Sequence, residues 1–249
     1  SVLVMKKGIP IAGTVTDPDG KPVDDALVIQ GNNPIGQSIY SSTRTDTEGR
    51  YRFGNLKPGG DVLTVISSGL APAIRNLNVQ SGMKPVDFRL EKGNVLRLRV
   101  VDKENQPIQG VFVSVDTWRG HRTLADLGIA KRTDAEGRWS WMWAPSDAVE
   151  IRMSKDGFMG TGNVPIVPQE VEHVVTLHPA LTITGRVIDA ETKQPIPKFR
   201  VIPGGVMEES QPQKHHWNQM EASDGKNGEY KAVISRPFTL PAPSAYLVR

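Results

Sequence analysis

No cysteine occurs among the 249 residues. Disulfides, thiolate nucleophiles and cysteine-ligated metal sites are excluded together, while the redox compartment stays open. Aromatic residues are few, at 6%, and no apolar run is long enough to span a bilayer as a helix. Ser1–Met5 is too short for a signal peptide, so the chain as given is expected to be soluble, and a targeting segment outside the given sequence stays open. No long apolar stripe at helical period is present either. There is no G-x-S-x-G elbow and no glycine-rich loop running into a helix, which leaves nucleophilic hydrolysis and nucleotide binding without their usual carriers. The charge excess is only +3, and Lys and Arg are scattered along the chain. Nucleic acid is therefore not an expected partner.

What the chain has in quantity is turn chemistry: 24 Gly and 19 Pro, set between short segments rich in Val, Ile and Thr. That pairing predicts an all-β chain with little helix. One stretch organises it, RTDAEGRWSWMWAP at Arg132–Pro145. Asp134 can accept backbone N–H bonds at the mouth of a tight turn, and Gly137 can close it with positive φ. From Arg138 the residues read as a strand whose Trp139, Trp141 and Trp143 share one face. Copies recur as RTDTEGRYRF at Arg44–Phe53 and, interrupted, as ASDGKNGEYKA at Ala222–Ala232. A second series keeps the same period: Asp17, Asp102 and Asp189, 85 and 87 residues apart, each open a turn that ends on proline.

These two series divide the chain into residues 1–8, a lead-in or the closing strand of a preceding unit, and three repeats at 9–92, 93–180 and 181–249. Each repeat opens with strand, turn and strand (Ile11–Val15 and Ala26–Ile29 in the first) and passes through the TDxEGR hairpin. The first two end on closing strands, VDFRLEKG at Val86–Gly93 and HVVTLHPA at His173–Ala180. The third stops level with Ile151, so it is expected to lack about 29 residues, roughly two strands. Junctions are short: only Glu91, Lys92, Gly93 and Asn94 separate Leu90 from Val95. End-to-end units with limited hinge freedom are the expectation.

Three constellations invite a chemical reading. The tryptophans of Arg138–Trp143 could form a sugar-stacking platform, but they occupy the places of Tyr51, Phe53 and Tyr230 in the other repeats, so Trp139 and Trp141 are expected in the core. Only Trp143, at the strand end, is expected to be partly exposed. The Asp-Gly runs lack the glutamate that a calcium-binding EF-hand loop needs at its twelfth position, where Val28, Lys57 and Pro145 stand instead. An intramolecular Lys–Asn crosslink could be imagined for Lys7, Asn78 and Glu48, though nothing in their spacing singles them out. The variable segment between the second strand and the hairpin lengthens along the chain, with spacings of 23, 26 and 28 residues from Pro22 to Thr45, Pro107 to Thr133 and Pro195 to Ser223. Sandwich loops carry function. The candidate ligand-contact residues are therefore Trp118 and His121 in the loop of the second repeat, His215, His216 and Trp217 in the loop Pro203–Ala222, and Trp143. No catalytic, cofactor or metal residue is assigned.

At the level of GTVTDPDGKPVDDALV, TDTEGRYRF and a closing strand, the chain resembles the carboxypeptidase regulatory-like domain family. The resemblance implies tandem seven-stranded, transthyretin-like or Ig-like β-sandwich domains arranged end to end. Such domains are accessory and non-catalytic, placed in extracytoplasmic, surface or membrane-anchored bacterial proteins. Its implied partners are neighbouring domains of a longer chain, with a glycan or protein ligand as the alternative. A membrane would be met only through segments outside this sequence. The carboxypeptidase zinc motif His-x-x-Glu is missing: three residues after His121, His173, His178, His215 and His216 stand Leu124, Thr176, Leu181, Asn218 and Gln219. The segments RWSWMWAP and KFRVIPGG are also similar to repeats beside membrane-embedded sensor metallopeptidases, which supplies a second alternative setting.

Overall fold

The two turn series fold as side-chain-capped structures. The Asp17 carboxylate accepts from the backbone N–H of Asp19 and Lys21, Asp102 from Glu104 and Gln106, and Asp189 from Glu191 and Thr192. Each turn closes on its proline through a backbone bridge, Thr16 to Pro22, Val101 to Pro107 and Ile188 to Pro195. In the hairpin series Asp46 captures Glu48 and Arg50 N–H, and Asp134 captures Glu136 and Arg138 N–H. The carboxyl of Asp46 is held below its ordinary range, first by the Arg50 backbone N–H. Desolvation pushes the other way, and the Arg50 guanidinium and the Glu48 N–H add to the lowering. Gly49, Gly137 and Gly228 all have positive φ, and a Cβ on any of them would strike the strand carbonyl or the proline of the neighbouring turn. Thus the two turn series dock on each other in every repeat.

The computed structural model describes residues 8–31, 41–122, 124, 129–207, 214–235 and 245–248. They are all-β, with a single 3-10 turn at Gln219–Glu221. The first repeat supplies β1 (Ile9–Thr16), β2 (Leu27–Gln30), β3 (Ser41–Arg44), β4 (Arg50–Leu56), β5 (Gly59–Ile66), β6 (Ala73–Val79) and β7 (Phe88–Arg89). They form one sheet ordered β4-β1-β7 and another ordered β3-β2-β5-β6. The second supplies β8 (Asn94–Val101), β9 (Phe112–Trp118), β10 (Lys131–Arg132), β11 (Arg138–Ala144), β12 (Val149–Ser154), β13 (Val164–Ile166) and β14 (His173–Thr176). Their sheets, β11-β8-β14 and β10-β9-β12-β13, repeat that order strand for strand. The closing strands β7 and β14 pair parallel to β1 and β8, whereas the other ladders of these sheets are antiparallel.

The third repeat departs from this plan. Its strands are β15 (Leu181–Arg186), β16 (Lys198–Val201), β17 (Pro203–Met207), β18 (Lys214–Trp217), β19 (Ser223–Lys226), β20 (Glu229–Ile234) and β21 (Ala245–Val248). Here β15-β20-β19-β16 is one sheet and β18-β17-β21 another. Asn227 and Gly228 carry φ of 52° and 79° between the paired Lys226 and Glu229, the two-residue turn that asparagine-glycine favours. The extra residue moves the turn here and leaves Asp224 and Gly225 inside β19. The hairpin then runs on as one ladder and joins strands whose counterparts lie in separate sheets. Among the described residues β15 is an edge strand, while β1 and β8 are central.

Alternation fixes the cores. Ile11 and Val15 of β1, Tyr51 and Phe53 of β4, and Leu63 and Val65 of β5 are buried together in the first repeat. Leu96, Leu98, Val113, Trp139, Trp141 and Met153 anchor the second. Tyr51 lies across from Gly13 and Tyr230 from Gly185; a Cβ on Gly13 would strike the Val86 carbonyl and crowd the Tyr51 ring, and one on Gly185 would enter the Tyr230 ring. The buried Tyr51 hydroxyl donates to the Val86 carbonyl, and its phenol is pushed up first by burial and then by the nearby Asp87 charge.

One buried hydroxyl recurs. Thr45 Oγ1 accepts from Ala26 N–H at 2.8 Å and donates to the Val23 carbonyl at 2.6 Å; Thr133 does the same for Val111 N–H at 2.9 Å and the Ile108 carbonyl at 2.7 Å. Thr133→Val keeps the shape and orphans both backbone groups, at an expected cost of about 1–3 kcal/mol. Urea unfolding should show that loss and its recovery in Thr133→Ser; a valine variant as stable as the parent would refute this role.

Candidate functional site

The site follows from how the first repeat runs into the second. After the small turn at Ser67–Leu70, Leu70 bridges to Lys92 and Ala71 N–H donates to the Glu91 carbonyl. Further along, Phe158 bridges to Pro179 and Ala180 N–H donates to the Gly157 carbonyl. Each connecting segment is thus tied to the repeat before it. A cleft of about 450 Å³ opens beside the first tie, lined by Ala73 and Ile74 of β6, Arg89 of β7, Lys92 of the connection, and Asn94, Trp118, Arg119 and Asp147 of the second repeat.

Its wall is built by a tight turn. Trp118 and His121 exchange both backbone hydrogen bonds, at 2.8 and 2.9 Å, around Arg119 and Gly120, which have φ of 51° and 77°. Arginine in the left-handed region is unusual. The turn swings its guanidinium back over the Trp118 ring, 4.8 Å from the centroid, and onto Asp147 Oδ2 at 2.7 Å. Trp118 Nε1 donates to the other oxygen, Oδ1, at 2.9 Å. Burial would raise the Asp147 carboxyl, but hydrogen bonds from Arg119 and Trp118 outweigh it and hold the group below the usual carboxylate range. This Trp–Arg–Asp lock is therefore ionised at neutral pH. Its contribution to stability is present above the unfolded carboxylate value and is lost as pH falls through the lower folded one.

The sequence-derived candidates distribute as follows. Trp118 is the last residue of β9 and only 2% exposed, which corrects its expected place in the loop; the flanking turn pairs it into the sheet. His121 is half-buried directly after it, and its Nδ1 has no partner among the described residues. Trp143 is half-buried and meets Trp141 edge-on, with ring centroids 5.2 Å apart. Trp139 and Trp141 are buried and Met142 points out, so the three indoles form no flat exposed platform. The β8–β11 register shifts between Trp141 and Ala144, and this irregularity ends the simple alternation at Trp143. His215, His216 and Trp217 lie on β18, paired with β17. That corrects the reading of Pro203–Ala222 as one loop; the side chains of His215 and His216 fall outside the described residues. The geometry thus joins Trp118 to His121 at one turn and places Trp217 on a different sheet. Of the imagined crosslink, Lys7 lies outside the described residues, while Asn78 and Glu48 are exposed and apart, Glu48 pairing with Arg50. Arg119 and Asp147 were missed, because only the turn and the Trp118 contact bring them together.

Among the described residues no three His, Asp or Glu side chains gather as a metal site, and no helix is long and apolar enough to cross a membrane. No curated protein matches the chain. Solved structures that are similar to it include a streptococcal ancillary pilin, at 14% identity over 96% of this chain and 92% of that one with a TM-score of 0.34. The Bacillus anthracis TIE protein aligns at 13% identity over 98% of this chain and 45% of that one, TM-score 0.32. The shaft pilin SpaA from Lactobacillus rhamnosus GG aligns at 10% identity over 69% and 97%, TM-score 0.28. At such scores the likeness identifies no shared fold. The model of the carboxypeptidase regulatory-like domain, by contrast, matches residues 10–91, the span that carries both turn series and β1 to β7. Over residues 10–91 the chain is similar to the carboxypeptidase regulatory-like domain family.

Proposed function

We propose that this chain is a non-catalytic accessory array. In this reading three β-sandwich domains, 9–92, 93–180 and 181–249, are set end to end as a spacer or scaffold in a larger extracytoplasmic protein, with neighbouring domains as their partners. The observation that carries the proposal is the apolar cluster shared by the first two repeats. Ile29 and Ile66, on the first repeat, are buried in the same cluster as Trp118, Leu124 and Ile166 of the second. Burial of that kind serves rigidity between neighbours, and the two ties at Leu70–Lys92 and Phe158–Pro179 support the same role. The extracytoplasmic setting rests on the likeness of residues 10–91 to the carboxypeptidase regulatory-like domain family.

Small-angle scattering tests the arrangement. A single globule of this length has a radius of gyration of about 18 Å, and an end-to-end array should exceed it clearly; a value near 18 Å would overturn the arrangement. Turnover of any substrate in a hydrolase panel, abolished by one substitution, would overturn the accessory reading itself. The junction cleft favours a second reading, a glycan- or protein-binding module, because it presents Arg119, Lys92 and Asn94 around an indole edge. Saturable glycan binding lost on Trp143→Ala or Trp217→Ala would support the exposed-aromatic form of that reading. Loss on Arg119→Ala would move the contact to the cleft.

A further inference from the structure

The outer face of the sheet β10-β9-β12-β13 carries a polar construction that the first repeat lacks. Ser114, Arg152 and Ser154 stand at the positions of Ile29, Thr64 and Ile66, counted from the hairpin and turn aspartates. On that face the β9–β12 register slips: Val115 pairs with Ile151 and Thr117 with Glu150, so Asp116 is an extra, bulged residue. Bulges re-aim side chains and are enriched beside functional sites. This one drives the Asp116 carboxylate to 4% exposure.

A buried carboxylate must be paired, and Asp116 is paired on both oxygens. Oδ1 meets Arg122 Nη2 at 2.8 Å and Arg152 Nη2 at 3.3 Å, while Oδ2 accepts from Asn163 Nδ2 at 3.0 Å. Asn163 also donates to Glu150 Oε2 at 2.8 Å and accepts from Arg152 at 3.2 Å, and the Thr117 hydroxyl donates to Glu150. The network fixes the guanidinium of Arg152 at the edge of a groove of about 320 Å³, with 47% of its side chain still open to solvent. Beyond it lie the Ser114 and Ser154 hydroxyls and the ring of Phe112, which is 40% exposed and carries Arg132 at 5.9 Å. The groove is lined by two guanidiniums, Arg122 and Arg152, against one carboxylate, Asp116, which leaves net positive charge.

We propose that this groove binds an acidic saccharide, its carboxylate on Arg152 and its ring lying across Ser114 and Ser154 toward Phe112. Arginine held by a second partner is preorganised for a carboxylate, and the volume sits at the small end of ligand sites. An extended peptide fits less well. β9 and β12 are central strands whose backbone groups are committed to the ladder, so main-chain pairing of the kind that secures bound peptides is closed to it. The site is independent of the scaffold role, which would survive its loss.

Calorimetric titration of the full chain with tri-galacturonate, neutral tri-galactose and a short glutamate-rich peptide tests the proposal. The acid should bind saturably at low salt and the neutral sugar should not. Arg152→Gln, at a solvent-open position, should weaken the acid by about tenfold or more. Ser114→Ile, which restores the first repeat's residue and fills the groove, should do the same, with circular dichroism confirming that both variants fold. No binding of the acid, equal binding of the neutral trimer, affinity unchanged in both variants, or binding of the peptide alone would each overturn the assignment.

Discussion

Replacing Trp141 by alanine is expected to destabilise the second repeat by about 3–5 kcal/mol, the range for deleting a large buried aromatic. The indole is 3% exposed, lies across from Leu96 in the ladder and meets Trp143 edge-on. Alanine would leave a cavity between two sheets that cannot close independently of each other. Trp141 has a further peculiarity: its Nε1 is buried with no partner among the described residues. The native state already bears the cost of that desolvated donor, so Trp141→Phe, which keeps an aromatic ring and discards the donor, should lose less than about 1.5 kcal/mol. Denaturant unfolding of both variants checks the pair. A loss below about 1 kcal/mol for alanine would mean that the ring contributes little to the core, and a phenylalanine variant as weak as alanine would mean that the indole's size matters more than its unpaired N–H.

What could be read from the sequence is what is local. An aspartate that captures N–H groups two and four residues on, and a glycine that closes the same turn, act within a few residues, so both turn series and the strands they bound are visible from letters alone. The inward face of Arg138–Trp143 is visible for the same reason, because alternation is a property of one strand. The shared apolar cluster is not: β2 reads as an apolar run, and a run says that both faces are covered without saying what covers the second. The burial of Trp118 depends on an Arg–Gly turn that does not look like one, since arginine rarely takes positive φ. Asp116 is legible only once β9 and β12 are paired, because a bulge is a mismatch between two strands. In the third repeat two turn dipeptides, Asp224-Gly225 and Asn227-Gly228, compete, and the ladder of β19 with β20 decides for the second. A Cβ on Gly225 would strike the Phe199 ring, so that glycine is retained for packing rather than for the turn.

Ile66→Asp is expected to separate the first two repeats in stability. Ile66 pairs with Leu27 across β5 and β2, and Ile29 lies on the same outer face; Ile29 and Ile66 are buried in the cluster of the second repeat and Leu27 packs against it. The inward residues of those strands, Val28, Leu63 and Val65, belong to the first repeat's own core. A carboxylate at position 66 therefore leaves that core untouched and places an unpaired charge against Leu27 and the second repeat. Burial of such a charge costs several kcal/mol, and the chain avoids it by opening the junction. The coupling lost should be at least about 2 kcal/mol, the lower end for removing a buried isoleucine side chain. In calorimetry or native-state hydrogen exchange the first two repeats should unfold together in the parent and as separate transitions in the variant. Ser154→Asp supplies the control, since it stands at the equivalent position of the second repeat on a face that is already polar, and it should leave unfolding within about 0.5 kcal/mol of the parent. If Ile66→Asp behaved like that control, the shared cluster would hold nothing together, and the scaffold reading would lose the observation on which it stands.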